Sequence, residues 1–204
     1  MKSMERKLSR RQLVTFLLGA ALASGVNSES AAAHPAENYV RRIADEVMSL
    51  ANSGAKGSAL RGRFASVLNR YVNLRSIANF ALGPYQKQLR ASAKNKFYTL
   101  FNNYAASLFV YYVKDFRGSD LDIISTSKQG SFITIVSAIK QNGGGREQVK
   151  WRLVPAGGGY RINDINVKGV WLTLATKKRF NGVLNRSKGD FEALFAELRE
   201  AESW

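Results

Sequence analysis

The sequence holds no cysteine and a single histidine among 204 residues. Without thiols there is neither a disulfide framework nor a thiolate metal site. The histidine, His34, falls directly after a segment read below as a leader, so a histidine triad, a histidine-ligated zinc and a histidine base in the core are all but excluded. Long apolar runs are missing too: Leu13 to Ala23 is eleven residues, and a helix across a bilayer needs roughly 20. Neither Gly143-Gly144-Gly145 nor Gly157-Gly158-Gly159 has P-loop spacing or opens a helix whose N-terminus would meet an anion, so both read as hairpin turns. Among the acids, Asp115, Asp120 and Asp122 read as a solvated turn at a strand start. Asp164 alone sits inside an apolar strand, where it either bonds backbone N–H groups freed by a bulge or serves as a catalytic acid. No cofactor motif or metal-ligand set emerges.

Positive charge is abundant, with a formal net charge of +16. Residues 1–33 carry Lys2, Arg6, Lys7, Arg10 and Arg11 against Glu5 and Glu29, which leaves +13 on the remainder. A basic start, the short apolar run and Ala31-Ala32-Ala33 make residues 1–33 a cleaved signal peptide. Ser9-Arg10-Arg11-Gln12-Leu13 gives it twin-arginine character. Residues 34–204 then form one domain, long enough for a sizeable core. A basic chain suits nucleic acid, an anionic membrane or an acidic protein, or only a solvated surface. Export argues against nucleic acid.

Helical spacing opens the domain. Tyr39, Ile43, Val47 and Leu50 form one apolar stripe and Leu60, Phe64, Val67, Leu68 and Tyr71 a second, with Ser53-Gly54 between them. Leu74 to Leu82 predicts a short third helix ended by Gly83-Pro84. From Ala93 to about Lys114 the longest helix places Phe97, Phe101, Tyr104, Leu108 and Tyr112 at helical intervals, with Tyr98, Phe109 and Val110 on other faces. A helix apolar around much of its circumference must be covered on several sides. It is either a central core helix or one whose face lines an apolar cavity.

After Asp120 the period changes to two. Ile133, Ile135 and Ile139, then Val149, Trp151 and Leu153, alternate with their neighbours between glycine-rich turns, which predicts an antiparallel meander of four or five strands. Past Tyr160 the parity slips: Tyr160 and Ile162 share one phase, Ile165 and Val167 the other. A bulge near Asn163-Asp164 accounts for this and would curve the sheet. The chain ends in helix again, at Phe180, Val183 and Leu184, and then at Phe191, Leu194, Phe195 and Leu198, with Ser187 to Asp190 spaced as a capping box. Helices, then a sheet, then helices is an α+β layout.

Several stretches in this order carry a resemblance: Phe64 to Asn73, Ile77 to Gly83, the aromatic helix from Phe97, Val149 to Leu153, Tyr160 to Val170, and Arg179-Phe180 with Gly189-Asp190-Phe191. Over roughly residues 37 to 200 the chain resembles the MlaC family, or toluene-tolerance proteins, periplasmic phospholipid carriers of Gram-negative bacteria. The resemblance implies a curved antiparallel sheet packed against a helix bundle, NTF2-like, enclosing an apolar pocket, with no catalytic residue and no cofactor. It implies a phospholipid ligand, shuttled through the periplasm between an outer-membrane lipoprotein complex and an inner-membrane ABC transporter with an MCE-domain subunit, with transient contact to the membrane surface. One departure stands out: the family's Glu-Gly-Val-Ser is here Lys168, Gly169, Val170 and Trp171, which bears on the head group.

The residues expected to line such a pocket are Phe97, Phe101, Tyr104, Leu108 and Tyr112 from the helix, with Ile133, Ile135, Val149, Trp151, Leu153 and Trp171 from the sheet. Arg75, Lys87, Arg90, Lys168, Lys177, Lys178 and Arg179 are the basic candidates for head groups or acidic docking sites. At about 0.8 kcal/mol per buried methylene, two acyl chains gain roughly 20 kcal/mol on leaving water. A bilayer offers a similar gain, so transfer runs near balance and needs no catalyst. Two alternatives stay open: a hopanoid carrier, favoured by broad walls at Trp151 and Trp171, and a small NTF2-like enzyme built on Asp164.

Overall fold

The change of period from helical to alternating appears directly in the computed structural model, which describes residues 33–112, 117–141 and 143–203. The leader (except Ala33), Asp115 and Asn142 lie outside these residues. The element order is α1 (Pro35–Asn52), α2 (Gly57–Tyr71), α3 (Leu74–Leu82), a 3-10 segment (Gly83–Gln88), α4 (Ala91–Tyr111), β1 (Gly118–Gln129), β2 (Phe132–Gln141), β3 (Arg146–Ala156), β4 (Gly159–Val167), β5 (Val170–Trp171), α5 (Leu172–Arg186) and α6 (Phe191–Glu200). His34 caps α1: its Nδ1 accepts the Ala36 N–H at 3.1 Å, ahead of a proline at the first helical position, where a missing N–H costs nothing. At the other end of the chain, Asp190 and not Ser187 caps α6, accepting the Glu192 N–H at 2.9 Å. Ser187 is the residue that closes α5, and its hydroxyl is spent on the Leu184 and Asp190 carbonyls.

The five strands pair in sequence order, each antiparallel to the last. Ile135, Trp151 and Ile165 lie opposite one another across β2, β3 and β4, as do Ile133, Leu153 and Ile162. In β3 the two ladder positions are two residues apart and in β4 three, so Asn163 is the extra residue of a bulge between the Arg152 and Leu153 pairings. Because side chains alternate along a strand, the insertion brings Ile162 and Ile165 to one face and Arg161 and Asp164 to the other. Both polar residues then serve helix ends. Arg161 Nη1 donates to the carbonyls of Asn69 at 2.9 Å and Arg70 at 2.6 Å, in the last turn of α2. Asp164 accepts the N–H of Thr173 at 3.1 Å, in the first turn of α5. Each charge has the sign that the helix dipole favours at that end.

The turn after β4, Lys168-Gly169, has φ of 52° and 82°, with Val167 paired to Val170. Positive φ at both central positions is the two-residue hairpin geometry that best matches strand twist. Gly169 suits it, and Lys168 is there against its preference.

Apolar burial divides into two clusters. In one, α1 and α2 cover the sheet through Val40, Ile43, Val47, Phe64 and Val67 against Ile135, Ile139, Val149, Trp151 and Leu153. In the other, α3, α4, α5 and α6 bury Leu82, Phe97, Phe101, Tyr104, Phe180, Leu184, Leu194 and Phe195 on one another. The long helix α4 belongs to both: its first half sits in the helical cluster, while Phe109 and Val110 near its end pack on the sheet cluster, Phe109 with its ring 5.4 Å from that of Phe64. That division explains why its sequence is apolar on so many faces.

Phe180 is fully buried, with ring centroids of Tyr104, Phe101 and Phe97 at 5.5, 6.1 and 6.5 Å. Replacing it by alanine removes the centre of the aromatic cluster, and the expected loss in urea unfolding is about 3–5 kcal/mol.

Candidate functional site

Where the two clusters meet they leave a cavity of about 70 Å³. Its floor on α4 is Phe101, Tyr104, Ala105 and Leu108, residues at intervals of three, one and three that share a helical face. The end of α2 and the start of α3 add Leu68, Val72, Leu74 and Ile77, β4 adds Ile162 and Ile165, and α5 adds Leu172. Three polar side chains break this wall: Asp164, Thr173 and Thr176.

Asp164 is 3 % exposed and fully engaged. Its Oδ1 accepts the N–H groups of Ile165 at 2.9 Å and Thr173 at 3.1 Å, while Oδ2 accepts the Thr173 hydroxyl at 2.6 Å and stands 3.8 Å from Arg152 Nη1. The residue in the N-cap position of α5, Trp171, has no side chain able to cap, so a carboxylate from the neighbouring strand does that job. Thr176 donates its hydroxyl to the Leu172 carbonyl at 2.8 Å. Burial raises the Tyr104 hydroxyl above the ordinary tyrosine value, with the nearby Arg179 guanidinium pulling the other way. The cavity is thus apolar, with its few polar atoms committed to backbone or to each other.

Two open clefts adjoin the cavity on either side of α3. One, of about 280 Å³, shares Leu74 and Phe101 with it and is faced by Arg75, Tyr98 and Asn102. The other, of about 200 Å³, shares Ile77, Asp164 and Thr173 and is faced by Phe80, Phe132, Arg152 and Asn163. None of the three alone reaches the roughly 300–1,000 Å³ of an ordinary ligand site, and together they do. The short helix α3 is the partition between them.

Of the residues expected at a pocket, Phe101, Tyr104 and Leu108 line this cavity. Phe97 is one helical turn too far toward the N-terminus and is packed on Phe180 and Phe195. Tyr112 is the residue at which α4 ends and is 45 % exposed. Ile133, Ile135, Val149, Trp151 and Leu153 point into the sheet cluster, where α1 and α2 consume them; Trp151 Nε1 donates to the buried Ser137 hydroxyl at 2.8 Å. Trp171 lies outside the cavity wall, its ring 4.1 Å from the Arg152 guanidinium carbon. The wall residues that sequence reasoning did not place there are Leu68 and Val72 from the end of α2, Leu74 and Ile77 of α3, Ala105 of α4, Ile162, Asp164 and Ile165 of β4, and Leu172, Thr173 and Thr176 of α5. The i, i+3 pair Leu74 and Ile77 was the available signal.

The fold and cavity define a class, an α+β domain with an apolar site between a sheet-and-helix core and a helical core. Comparison with known proteins is specific. The family model for the MlaC protein matches residues 41–200. A curated relative from Haemophilus influenzae, the intermembrane phospholipid transport system binding protein MlaC, is 27 % identical over 138 residues, which are 65 % of this chain and 64 % of that protein. A solved structure of a phospholipid-binding protein from Ralstonia solanacearum, in complex with a phospholipid, superposes with a TM-score of 0.68 at 17 % identity, covering 83 % of this chain and 98 % of that one. The chain belongs to the MlaC family.

Two outcomes test the site's electrostatics. Asp164→Ala leaves the Thr173 N–H and hydroxyl without their acceptor and removes a helix cap, so urea unfolding should show a loss of about 2–4 kcal/mol, whereas a carboxylate kept for catalysis would be removed at little structural cost. For Tyr104, the folded state holds the proton more tightly than the unfolded chain does. Its contribution to stability is therefore complete below the ordinary value of 10.0 and is lost as pH rises beyond it. Tyr104→Phe should flatten the alkaline decline in unfolding midpoint, and phenolate absorbance should lose one step that titrates above the ordinary tyrosine value.

Proposed function

We propose that this protein is a periplasmic carrier that holds the acyl chains of a phospholipid in the space beneath α3 and exchanges them between membranes. One observation carries the reading: a chain of the MlaC family has an apolar cavity at the junction of its two cores, and the acid in that wall is occupied as a helix cap. The solved structure of similar fold contains a phospholipid, and the Haemophilus influenzae relative is a binding protein of an intermembrane phospholipid transport system.

Acyl chains need more room than about 70 Å³, and the two clefts beside α3 are where that room comes from. Displacing α3 by a few ångströms joins all three spaces. The helix is suited to this: it has no side-chain cap at its N-terminus and ends at Gly83, whose φ is 56°. Bulk transfer from bilayer to cavity changes the apolar environment of the chains little, so the carrier loads and unloads without chemistry. Direction then comes from its partners, an outer-membrane lipoprotein complex and an inner-membrane ABC transporter with an MCE-domain subunit, which its basic surface meets by charge complementarity. No helix among the described residues is long and apolar enough to cross a membrane, so the carrier reading places it at membranes only transiently. The wall is mainly aliphatic, with Phe101 and Tyr104 as its aromatic members. That suits flexible chains better than a rigid polycyclic hopanoid, since Trp151 and Trp171 are both engaged elsewhere.

Native mass spectrometry of the mature protein from the periplasm of a Gram-negative host, followed by solvent extraction, should find one phospholipid per chain. Ala105→Phe, which puts a ring into the cavity, should lower that occupancy roughly tenfold while costing about 1–3 kcal/mol of stability. A protein that stays empty after incubation with phospholipid vesicles refutes the carrier function.

A further inference from the structure

The cleft beside Ile77 and Thr173 contains a cation whose setting is not that of a surface arginine. Arg152, on β3, lies with its guanidinium carbon 4.1 Å from the Trp171 ring centroid and 5.5 Å from that of Phe132. These rings come from the end of β5 and the start of β2, so three strands fix the plane of one side chain. Among the described residues its one polar contact is the 3.8 Å approach of Nη1 to Asp164 Oδ2. That carboxylate already accepts three hydrogen bonds. Arg152 is therefore held rigidly, with the donors of its planar fork unspent and its side chain 35 % exposed to the cleft. A guanidinium so placed loses little freedom when it binds an anion bidentately.

The surroundings suit a phosphate ester. Ser76 and Asn163 offer polar side chains on the same cleft. Lys177, with its Nζ 4.6 Å from the centroid of the Phe80 ring, adds a second cation at the rim. Beneath, through Ile77, Asp164 and Thr173, the cleft adjoins the apolar cavity. Asp164 faces the same space, but its charge is directed at the α5 N-terminus by the bonds described above, which leaves the open side of the cleft to the cations.

We propose that Arg152, set against the rings of Phe132 and Trp171, anchors a phosphodiester, and that this anion is the head-group phosphate of a lipid whose chains occupy the adjoining cavity and the cleft beside Leu74. The inference rests on the carrier reading and names the group that orients its ligand. It also gives Trp171 a reason: the ring stands where the family resemblance suggests a small serine, and it is the nearer of the two rings.

The test compares two ligands with identical fluorescent acyl chains, a phosphatidylethanolamine and the corresponding diacylglycerol, in equilibrium binding to the mature protein. The wild type should prefer the phospholipid by roughly tenfold or more. In Arg152→Gln the ratio of the two affinities should fall toward one, and in Arg152→Lys, which keeps the charge and loses the fork, it should fall part of the way; the lysine variant also serves if the glutamine variant fails to fold. A wild-type ratio retained in the variants overturns the assignment of the anchor while leaving the carrier intact. Failure of the wild type to bind either ligand overturns the carrier and the anchor together. Inorganic phosphate titrated alone separates the two sources of the anion. Weak binding that only displaces phospholipid at high concentration agrees with a head-group site, and tight Arg152-dependent saturation without lipid overturns it.

Discussion

One inserted residue, Asn163, sets the relation between the sheet and the helices. In an unbroken strand Arg161 and Asp164 would lie on opposite faces, and only one could leave the sheet core. With the bulge, both leave it, while Ile162 and Ile165 both stay. Arg161 then meets the carbonyl end of α2 and Asp164 the amide end of α5. Since α2 belongs to the sheet core and α5 to the helical core, β4 ties the two cores together from the sheet, as α4 does among the helices. The cavity lies beside this tie, with Ile162, Asp164 and Ile165 of β4 in its wall.

A seam between two cores is a favourable place for a binding site. Interiors are packed to crystal-like density, and opening a void inside one costs contacts on every side. Between two separately packed clusters, the walls can part without disrupting either. Here the two clusters meet along α4, and α3, nine residues with a backbone-only start and a glycine end, turns Leu74 and Ile77 to the cavity while its Ala78, Ala81 and Leu82 belong to the helical core.

Much of the fold was legible because period and punctuation agree. The parity slip between Ile162 and Ile165 located the bulge, and Leu74 with Gly83-Pro84 bounded α3. The inward face of the sheet was not legible. Alternation says that Ile133, Ile135, Trp151 and Leu153 share a face, but not whether that face meets helices or a ligand, and α1 and α2 claimed it. Tyr112 keeps the helical spacing of Phe101 and Leu108, yet the helix stops there and the ring turns out to solvent. Phe101, Tyr104 and Leu108 were found because the middle of α4 is where one core hands over to the other. Val72, Leu172 and Thr176 were not legible because they come from the end of α2 and the start of α5, whose apolar stripes serve the two cores. Residues 1–32, most of the segment expected to be a signal peptide, lie outside the described residues.

The basic character of the chain takes on a more local meaning once the cavity is in place. Some surface cations, such as Lys96 with Glu192 or Arg70 with Glu46, sit in exposed pairs that contribute little. Arg152 differs because its partners are two ring faces and a distant, already satisfied carboxylate. A cation neutralised by a close salt bridge has little left for a ligand, whereas one held by aromatic faces keeps its hydrogen-bond donors. The exchange of a small residue for Trp171 at the end of the β4–β5 hairpin therefore alters the mouth of the site without touching its apolar interior. In the proposed anchor, Phe132, Arg152 and Trp171 come from strands that contribute no residue to the wall of the cavity, so a head-group preference can diverge while the cavity and fold stay the same.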